Sequence, residues 1–148
     1  MISLKNFTSA DAPTLRRYTY PDMSVEQIKS IISKWNEKQC NGKFFEMFAI
    51  WHHEILVGSI SLFQQSAEVI SIGPEIFPSY QRKGYAKQAL RFACAMAKEK
   101  GYKIVSQQIR VSNAASIALH KSLGFETNDI LYTNAKGNQV SIYLKSLV

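Results

Sequence analysis

The stretch Gln81 to Ala86, reading Gln-Arg-Lys-Gly-Tyr-Ala, constrains this chain more than any other. The apolar run Val69 to Phe77 before it reads as a strand, and Tyr85 to Lys100 after it repeats apolar residues at helical spacing. The stretch is therefore a strand-to-helix turn. Arg82, Lys83 and Lys87 put cations where a helix start already carries positive partial charge and unpaired N–H groups. An anion among them resolves that conflict. Gly84 has no Cβ and Ala86 is small, so the backbone can approach such a ligand closely. Successive N–H groups and the helix dipole would then cradle a phosphate or pyrophosphate. A solvated basic turn would carry the same residues. The chain contains neither Gly-x-Gly-x-x-Gly nor Gly-x-x-x-x-Gly-Lys-Ser/Thr, so two other common phosphate motifs do not account for the turn.

The 148 residues are enough for one domain, 1–148, with a sizeable core, and the 46% apolar content excludes a disordered chain. Ile2 to Phe7 alternates as a short strand. Ser9 or Asp11 can cap a first helix that holds Pro13 in its first turn and runs to about Tyr18. Pro21 marks a loop over Tyr18 to Asp22. Ser24 and Gln27 form a capping box for a second helix with Ile28, Ile31, Ile32 and Trp35 on one face. Asn41-Gly42 is a turn. Phe45 to Trp51 and Ile55 to Phe63 read as a hairpin around His52-His53-Glu54, an exposed turn rather than a metal site, since no third ligand is near in sequence. Gly73-Pro74 inside the next strand predicts a bulge or a locally unpaired edge.

The helix after the turn would bury Ala86, Ala89, Leu90, Ala93 and Ala97, with Phe92 and Met96 widening the stripe and Cys94 in the core. Gly101 ends it. Lys103 to Val111 is a strand. Asn113 caps a short helix ending at Gly124. Phe125 to Tyr132 and Gln139 to Leu144 are the last two strands, joined through Gly137, with Val140, Ile142 and Leu144 sharing one face. Helices laid against a mixed sheet give an α+β class.

On the short helix Asn113, Ser116 and His120 recur at i, i+3 and i+7 as a polar stripe opposite Ala115, Leu119 and Leu123. A solvated helix face would look the same. Together, the strand–Gln-x-x-Gly-x-Ala–helix unit and the string Arg110 to Phe125 resemble the two motif blocks of the GNAT superfamily, the acyl-coenzyme A-dependent N-acyltransferases. The second block is most similar to those of ribosomal-protein N-terminal and phosphinothricin-type acetyltransferases. The element order matches over nearly the whole chain. The resemblance implies a mixed, mostly antiparallel central sheet of about seven strands with four helices packed against it.

It also implies roles. Gln81, Arg82, Lys83, Gly84, Tyr85 and Ala86 would hold the coenzyme A pyrophosphate, and the backbone of Glu75 and Ile76 would pair with the pantetheine arm. Asn113 and Ser116 would contact the cofactor. His120 stands where many members carry a tyrosine that reprotonates the departing thiolate, and its place in the last helical turn favours the charged imidazole. The base position of the ribosomal enzymes falls on Gln108, which cannot serve, leaving Glu75 and Glu68 as the nearest carboxylates. Acetyl-CoA would be the co-substrate, with no metal.

The implied activity is acetyl transfer to a primary amine on a small molecule, a peptide or a protein N-terminus, by direct attack on the thioester. A coenzyme A-binding sensor without catalysis is the alternative. The net charge of +7, from 18 basic and 11 acidic residues, would also suit nucleic acid. The basic residues are scattered, however, without aromatic interleaving, so no nucleic-acid partner is expected. No apolar run reaches membrane-spanning length, so no membrane partner is expected either. The first residues carry no signal-peptide pattern, and the expected location is cytoplasmic. The expected state is a monomer or a homodimer.

Overall fold

A computed structural model describes residues 1–148. The chain runs β1 (Ile2–Asn6), a single 3-10 turn, α1 (Ala12–Tyr18), α2 (Val25–Trp35), β2 (Gln39–Cys40), β3 (Lys43–His52), β4 (Ile55–Gln64) and β5 (Val69–Ile76). It continues with α3 (Tyr85–Glu99), β6 (Ile104–Arg110), α4 (Ala114–Ser122), β7 (Glu126–Thr127), β8 (Tyr132–Thr133) and β9 (Gln139–Ser146). The sheet order is β1-β3-β4-β5-β6-β9-β7, with the two-residue strands β2 and β8 added to β3 and β9. Every pairing is antiparallel except β5 with β6. The expected α+β architecture, seven principal strands and four helices, is the one that forms. No helix is long and apolar enough to cross a membrane.

Local chemistry explains several boundaries. The Ser24 hydroxyl accepts from the Gln27 N–H at 3.1 Å, and the Gln27 side chain accepts from the Ser24 N–H at 2.9 Å, closing the box that starts α2. Asp11 stands at the N-cap position of α1, one of the two the sequence offered, but its carboxylate turns back to accept from the Thr8 N–H at 2.9 Å, stabilising the 3-10 turn that leads into the helix. The last strands also differ from expectation. Phe125 to Tyr132 is not one strand, because the Thr127 hydroxyl and the Asn128 side chain accept from the Asp129 and Ile130 N–H groups. Asp129 turns to φ +61° there, and the segment divides into β7 and β8.

Two apolar layers sandwich the sheet. On one face α3 buries Ala89, Leu90, Ala93, Cys94 and Ala97 against Ile50, Ile60, Leu62, Ile70, Ile72 and Val105, with Ile117 and Leu119 of α4, and Leu123 just after it, alongside. On the other face α1 and α2 pack Leu15, Ile28 and Ile32 onto Ala49, Leu56 and Phe77. Met96 joins the α3 layer, but Phe92 lies on the outer side and is exposed. In β9 only Val140 of the Val140, Ile142, Leu144 face is buried. Tyr143 and Leu147 on the opposite face enter the core, because no helix covers the side that Leu144 looks onto.

The Gly73-Pro74 expectation resolves to an open edge rather than a bulge. β4 and β5 pair without interruption from Gly58↔Ile76 to Gln64↔Ile70, and the one register shift lies between Ile50 and Trp51 in the β3–β4 pair. β5 meets β6 only at Val69↔Ile104 and Ile70↔Val105. Beyond them the strands part, and Pro74 lies on the parted side, where its missing N–H breaks no ladder. Gly58 keeps the far end of β5 in place. A Cβ there would overlap the Glu75 carbonyl oxygen and lie 3.0 Å from the Ile76 Cα, both backbone atoms that cannot swing aside. Gly58→Ala is therefore expected to destabilise the fold by about 1–3 kcal/mol, the usual scale for overpacking. A urea midpoint equal to wild type would refute that close approach.

Candidate active site

The loop after β5 is built to leave its amides free. The Gln81 side-chain amide donates to the Ile76 carbonyl at 3.0 Å and fixes the start of the turn. Arg82 then takes φ +65° and Gly84 φ +83°, two left-handed residues that bend the N–H groups inward. The N–H groups of Arg82, Lys83 and Gly84 donate to no backbone carbonyl or side chain. Those of Tyr85, Ala86 and Lys87 are the first of α3, whose earliest internal bond is Gln88 N–H to Gly84 C=O at 3.2 Å. The run from Arg82 to Lys87 is thus a continuous set of unpaired donors. Arg82, Lys83 and Lys87 make no ion pair. A Cβ on Gly84 would meet nothing within 4 Å, so the cradle is open on its outer side. These donors fit a pyrophosphate.

Beside this loop lies the split between β5 and β6. Gln107 of β6, only 4% exposed, turns its amide into the plane of the sheet. Its Oε1 accepts from the Ile72 N–H and from the Ser71 hydroxyl, each at 2.9 Å, and its Nε2 donates to the Ile72 carbonyl. A side chain thus completes the ladder that the parted strand cannot. Because Ile72 turns its N–H and C=O toward β6, alternation turns those of Ile76 the same way. The peptide groups of Glu75 face β4 instead, so of the pair expected to line a pantetheine arm only Ile76 offers backbone to the split.

α4 closes the split from the α3 side. Asn113 caps it, its Oδ1 accepting from the Ser116 N–H at 3.1 Å, while its NH₂ donates to no group of the chain. The stripe through Ser116 and His120 is not a solvated face. His120 is 3% exposed, packed edge-on against Phe125 with ring centroids 4.8 Å apart. Its Nδ1 lies 2.7 Å from the Ser116 carbonyl and 3.3 Å from the Ser116 hydroxyl, and its Nε2 lies 3.4 Å from Gln107 Nε2. Here the structure corrects the helix-end expectation. Desolvation outweighs the bond to Ser116 and holds the imidazole below its ordinary value, so the ring is neutral rather than charged.

The carboxylates divide clearly. Glu68 pairs with Lys103 at 3.4 Å in solvent at the near end of β5, remote from the loop. Glu75 points its exposed side chain to the α1–α2 face, in parity with Ser71 and Gly73. Burial, and then the Glu75 carboxylate, push the Tyr20 phenol up, which puts the loop after α1 beside Glu75. Tyr18 of that region stacks on Phe77 at 4.5 Å and meets Tyr80 edge-on at 6.4 Å. Gln108 is exposed on this same face. Glu75 and His120 therefore approach the split from opposite sides of the sheet.

The histidine hairpin is more than an exposed turn. His53 is exposed at φ +56°, but His52 ends β3 and its Nδ1 lies 3.1 Å from the Tyr85 hydroxyl, tying the hairpin to the start of α3. No group of three His, Cys, Asp or Glu side chains is placed to hold a metal ion. A concavity of about 1000 Å³ is bordered by Glu68, Lys103, Ile142 and Leu144 and lies away from the free donors. In the sequence nothing distinguishes Gln107 from Gln108 except strand parity.

His120 makes stability depend on pH. The unfolded ring gains its proton near its ordinary value of 6.5, while the folded ring resists it. Below that value the unfolded state binds more protons, so stability is lost as pH falls toward the lowered folded value. Comparing urea midpoints at about pH 7.5 and about pH 5.5, His120→Gln should show a smaller acid-side loss than wild type. An identical loss would assign the effect elsewhere.

No curated protein matches the chain in sequence. Among solved structures, an acetyltransferase from Salmonella typhimurium that modifies the N-terminal serine of 50S ribosomal subunit protein L7/L12 superposes with a TM-score of 0.82 at 17% identity, over 98% of this chain and 94% of that one. An N-acetyltransferase from Staphylococcus aureus Mu50 gives 0.73 at 19%, over 100% and 99%. A spermidine N-acetyltransferase from Vibrio cholerae, in complex with CoA and spermine, gives 0.78 at 15%, over 99% and 95%. At such identities the likeness is one of fold. The family profile described as "Acetyltransferase (GNAT) domain" matches residues 3–126, and with most of its length covered the chain belongs to the GNAT acetyltransferase family.

Proposed function

We propose that residues 1–148 act as one acetyl-CoA-dependent N-acetyltransferase unit, located in the cytoplasm, that transfers an acetyl group to a primary amine by direct attack on the thioester. The observation that carries this reading is the run of unpaired N–H groups from Arg82 to Lys87, opening beside the free edge of β5. When bound, acetyl-CoA supplies a thioester carbonyl for an amine to attack and a thiol that leaves. The backbone of Arg82 to Ala86 holds the pyrophosphate, with Lys83 and Lys87 adding charge. Ile76 offers its N–H to the pantetheine arm, and the free NH₂ of Asn113, with Ser116 beside it, binds from α4. Cys94 is buried with its thiol pushed up by desolvation, and Cys40 lies in β2 beyond β3, so neither supplies a covalent route.

Glu75 serves as the base on the acceptor side, where the α1–α2 loop lines the amine site. His120 serves proton transfer from the other side. Being neutral at rest, it takes up at Nε2 the second proton that the amine sheds as the C–N bond forms and passes it to the departing sulfur, Glu75 having taken the first from the ammonium form. Similar proteins act on a ribosomal-protein N-terminus and on spermidine, so peptide, protein and small-molecule amines all remain in the acceptor class. Gln108, standing on the acceptor face where a carboxylate would serve, favours the sensor reading, in which coenzyme A binds without turnover.

Thiol release from acetyl-CoA against a panel of polyamines, amino sugars and peptide N-termini tests the proposal. Turnover is expected with at least one amine class. Coenzyme A binding without turnover of any amine would favour the sensor. Gly84→Val should weaken coenzyme A binding in calorimetry and, because φ is +83°, cost about 1–2 kcal/mol in the unliganded fold. Full affinity in the folded variant would displace the site from this loop. In single turnover at saturating acetyl-CoA, His120→Ala and Glu75→Gln should each lower the rate about tenfold to a thousandfold with affinity little changed. An unchanged rate in either would remove that residue from the proton path.

A further inference from the structure

We propose that Gln107 is a positioning residue, one that occupies the Nε2 lone pair of His120 and so holds the ring neutral, in a single tautomer, facing the split. Hydrogen-bond valence around the two side chains leads to this assignment. The Ile72 backbone decides how the amide lies, since its N–H needs an acceptor and its C=O needs a donor. Oε1 must face the N–H and Nε2 the carbonyl, and the Ser71 hydroxyl adds a donor on the Oε1 side. Gln107 therefore presents its second amide hydrogen to His120 Nε2, 3.4 Å away.

The Ser116 carbonyl can only accept, so His120 Nδ1, at 2.7 Å, must carry its hydrogen. Nε2 is then left without one, as the Gln107 donor requires. Two N–H groups cannot point at each other, so Nε2 can gain a proton only as the Gln107 amide turns away. The same amide pairs the edge of β5 at Ile72, so one side chain links the strand edge to the protonation of His120. The catalytic consequence rests on the acetyltransferase reading, but the tautomer does not.

The test uses the full chain labelled with ¹⁵N-histidine, without any acyl donor, with His52 and His53 assigned by single replacement. Long-range proton–nitrogen spectra near neutral pH should show His120 protonated on Nδ1 and bare on Nε2. A wild-type ring with hydrogen on Nε2, whether neutral or charged, overturns the proposal. Gln107→Glu replaces the amide donor with a carboxylate acceptor and should convert His120 to the imidazolium at the same pH. A ring that stays neutral in that folded variant also overturns it. If that variant fails to fold, Gln107→Met keeps the length and removes the donor. Its Nε2 resonance should move to that of a nitrogen free of hydrogen bonds, and an unmoved resonance counts against the proposal.

With any amine found to react, Gln107→Met should lower kcat several-fold, because a ring no longer held in one orientation loses more in alignment than it gains from a freed Nε2, while leaving the KM for acetyl-CoA near wild type. A merely structural role would lower the urea midpoint without that split, and kcat equal to wild type would end the positioning role. Because the spectra need no turnover, failure of the acetyltransferase reading and failure of this one are distinguishable.

Discussion

The parting of β5 and β6 organises the rest of the molecule. Two strands that run parallel stay paired for only two residue pairs, Val69↔Ile104 and Ile70↔Val105, and then separate inside a sheet whose other neighbours stay laddered. A gap in the middle of a buried sheet exposes backbone donors and acceptors to a dry interior, which costs on the order of 1–3 kcal/mol for each unmatched group. The chain meets that cost with one side chain. Gln107 satisfies both Ile72 groups and the Ser71 hydroxyl, so the gap is retained without an orphaned buried side-chain polar atom. Further along, Pro74 removes a donor that would otherwise want a partner. What remains toward Ile76 is an edge that a ligand can use.

The loop at the end of that edge obeys the opposite logic. Gln107 consumes hydrogen-bonding capacity, whereas Arg82 to Lys87 conserve it. Left-handed backbone at Arg82 and Gly84 keeps the amides from pairing locally, and the start of α3 contributes donors that no helix can satisfy internally. Free amides and cations without an acidic partner stand together there.

The two candidate proton carriers differ for the same reason that the sheet has two faces. Glu75 lies under the α1–α2 loop, exposed, among Tyr20 and the aromatic group of Tyr18, Phe77 and Tyr80. His120 projects inward from α4, sealed by Phe125 and Gln107. One group meets solvent and acceptor, and the other meets the interior of the split. A reaction that must take a proton from an amine on one side and give one to a sulfur between the strands suits such a division.

Sequence by itself determined the parts that depend on neighbouring residues. The loop at Gln81 to Ala86, the Ser24–Gln27 box, the Asn113 cap and the order of helices and principal strands were all legible, because turn chemistry, capping and periodicity act within a few positions. Tertiary structure alone decided the rest. The charge of His120 is set by partners on other elements, Gln107 and Phe125, whose desolvation overrides the helix end that sequence made visible. The buried face of β9 is decided by which side a helix covers, so Tyr143 enters the core and Leu144 does not. Gln107 and Gln108 are the same residue in adjacent places. Only the register of β6 against β5 sends one into the split beside His120 and the other out to the opposite face, because strand parity has no meaning until the strands are paired.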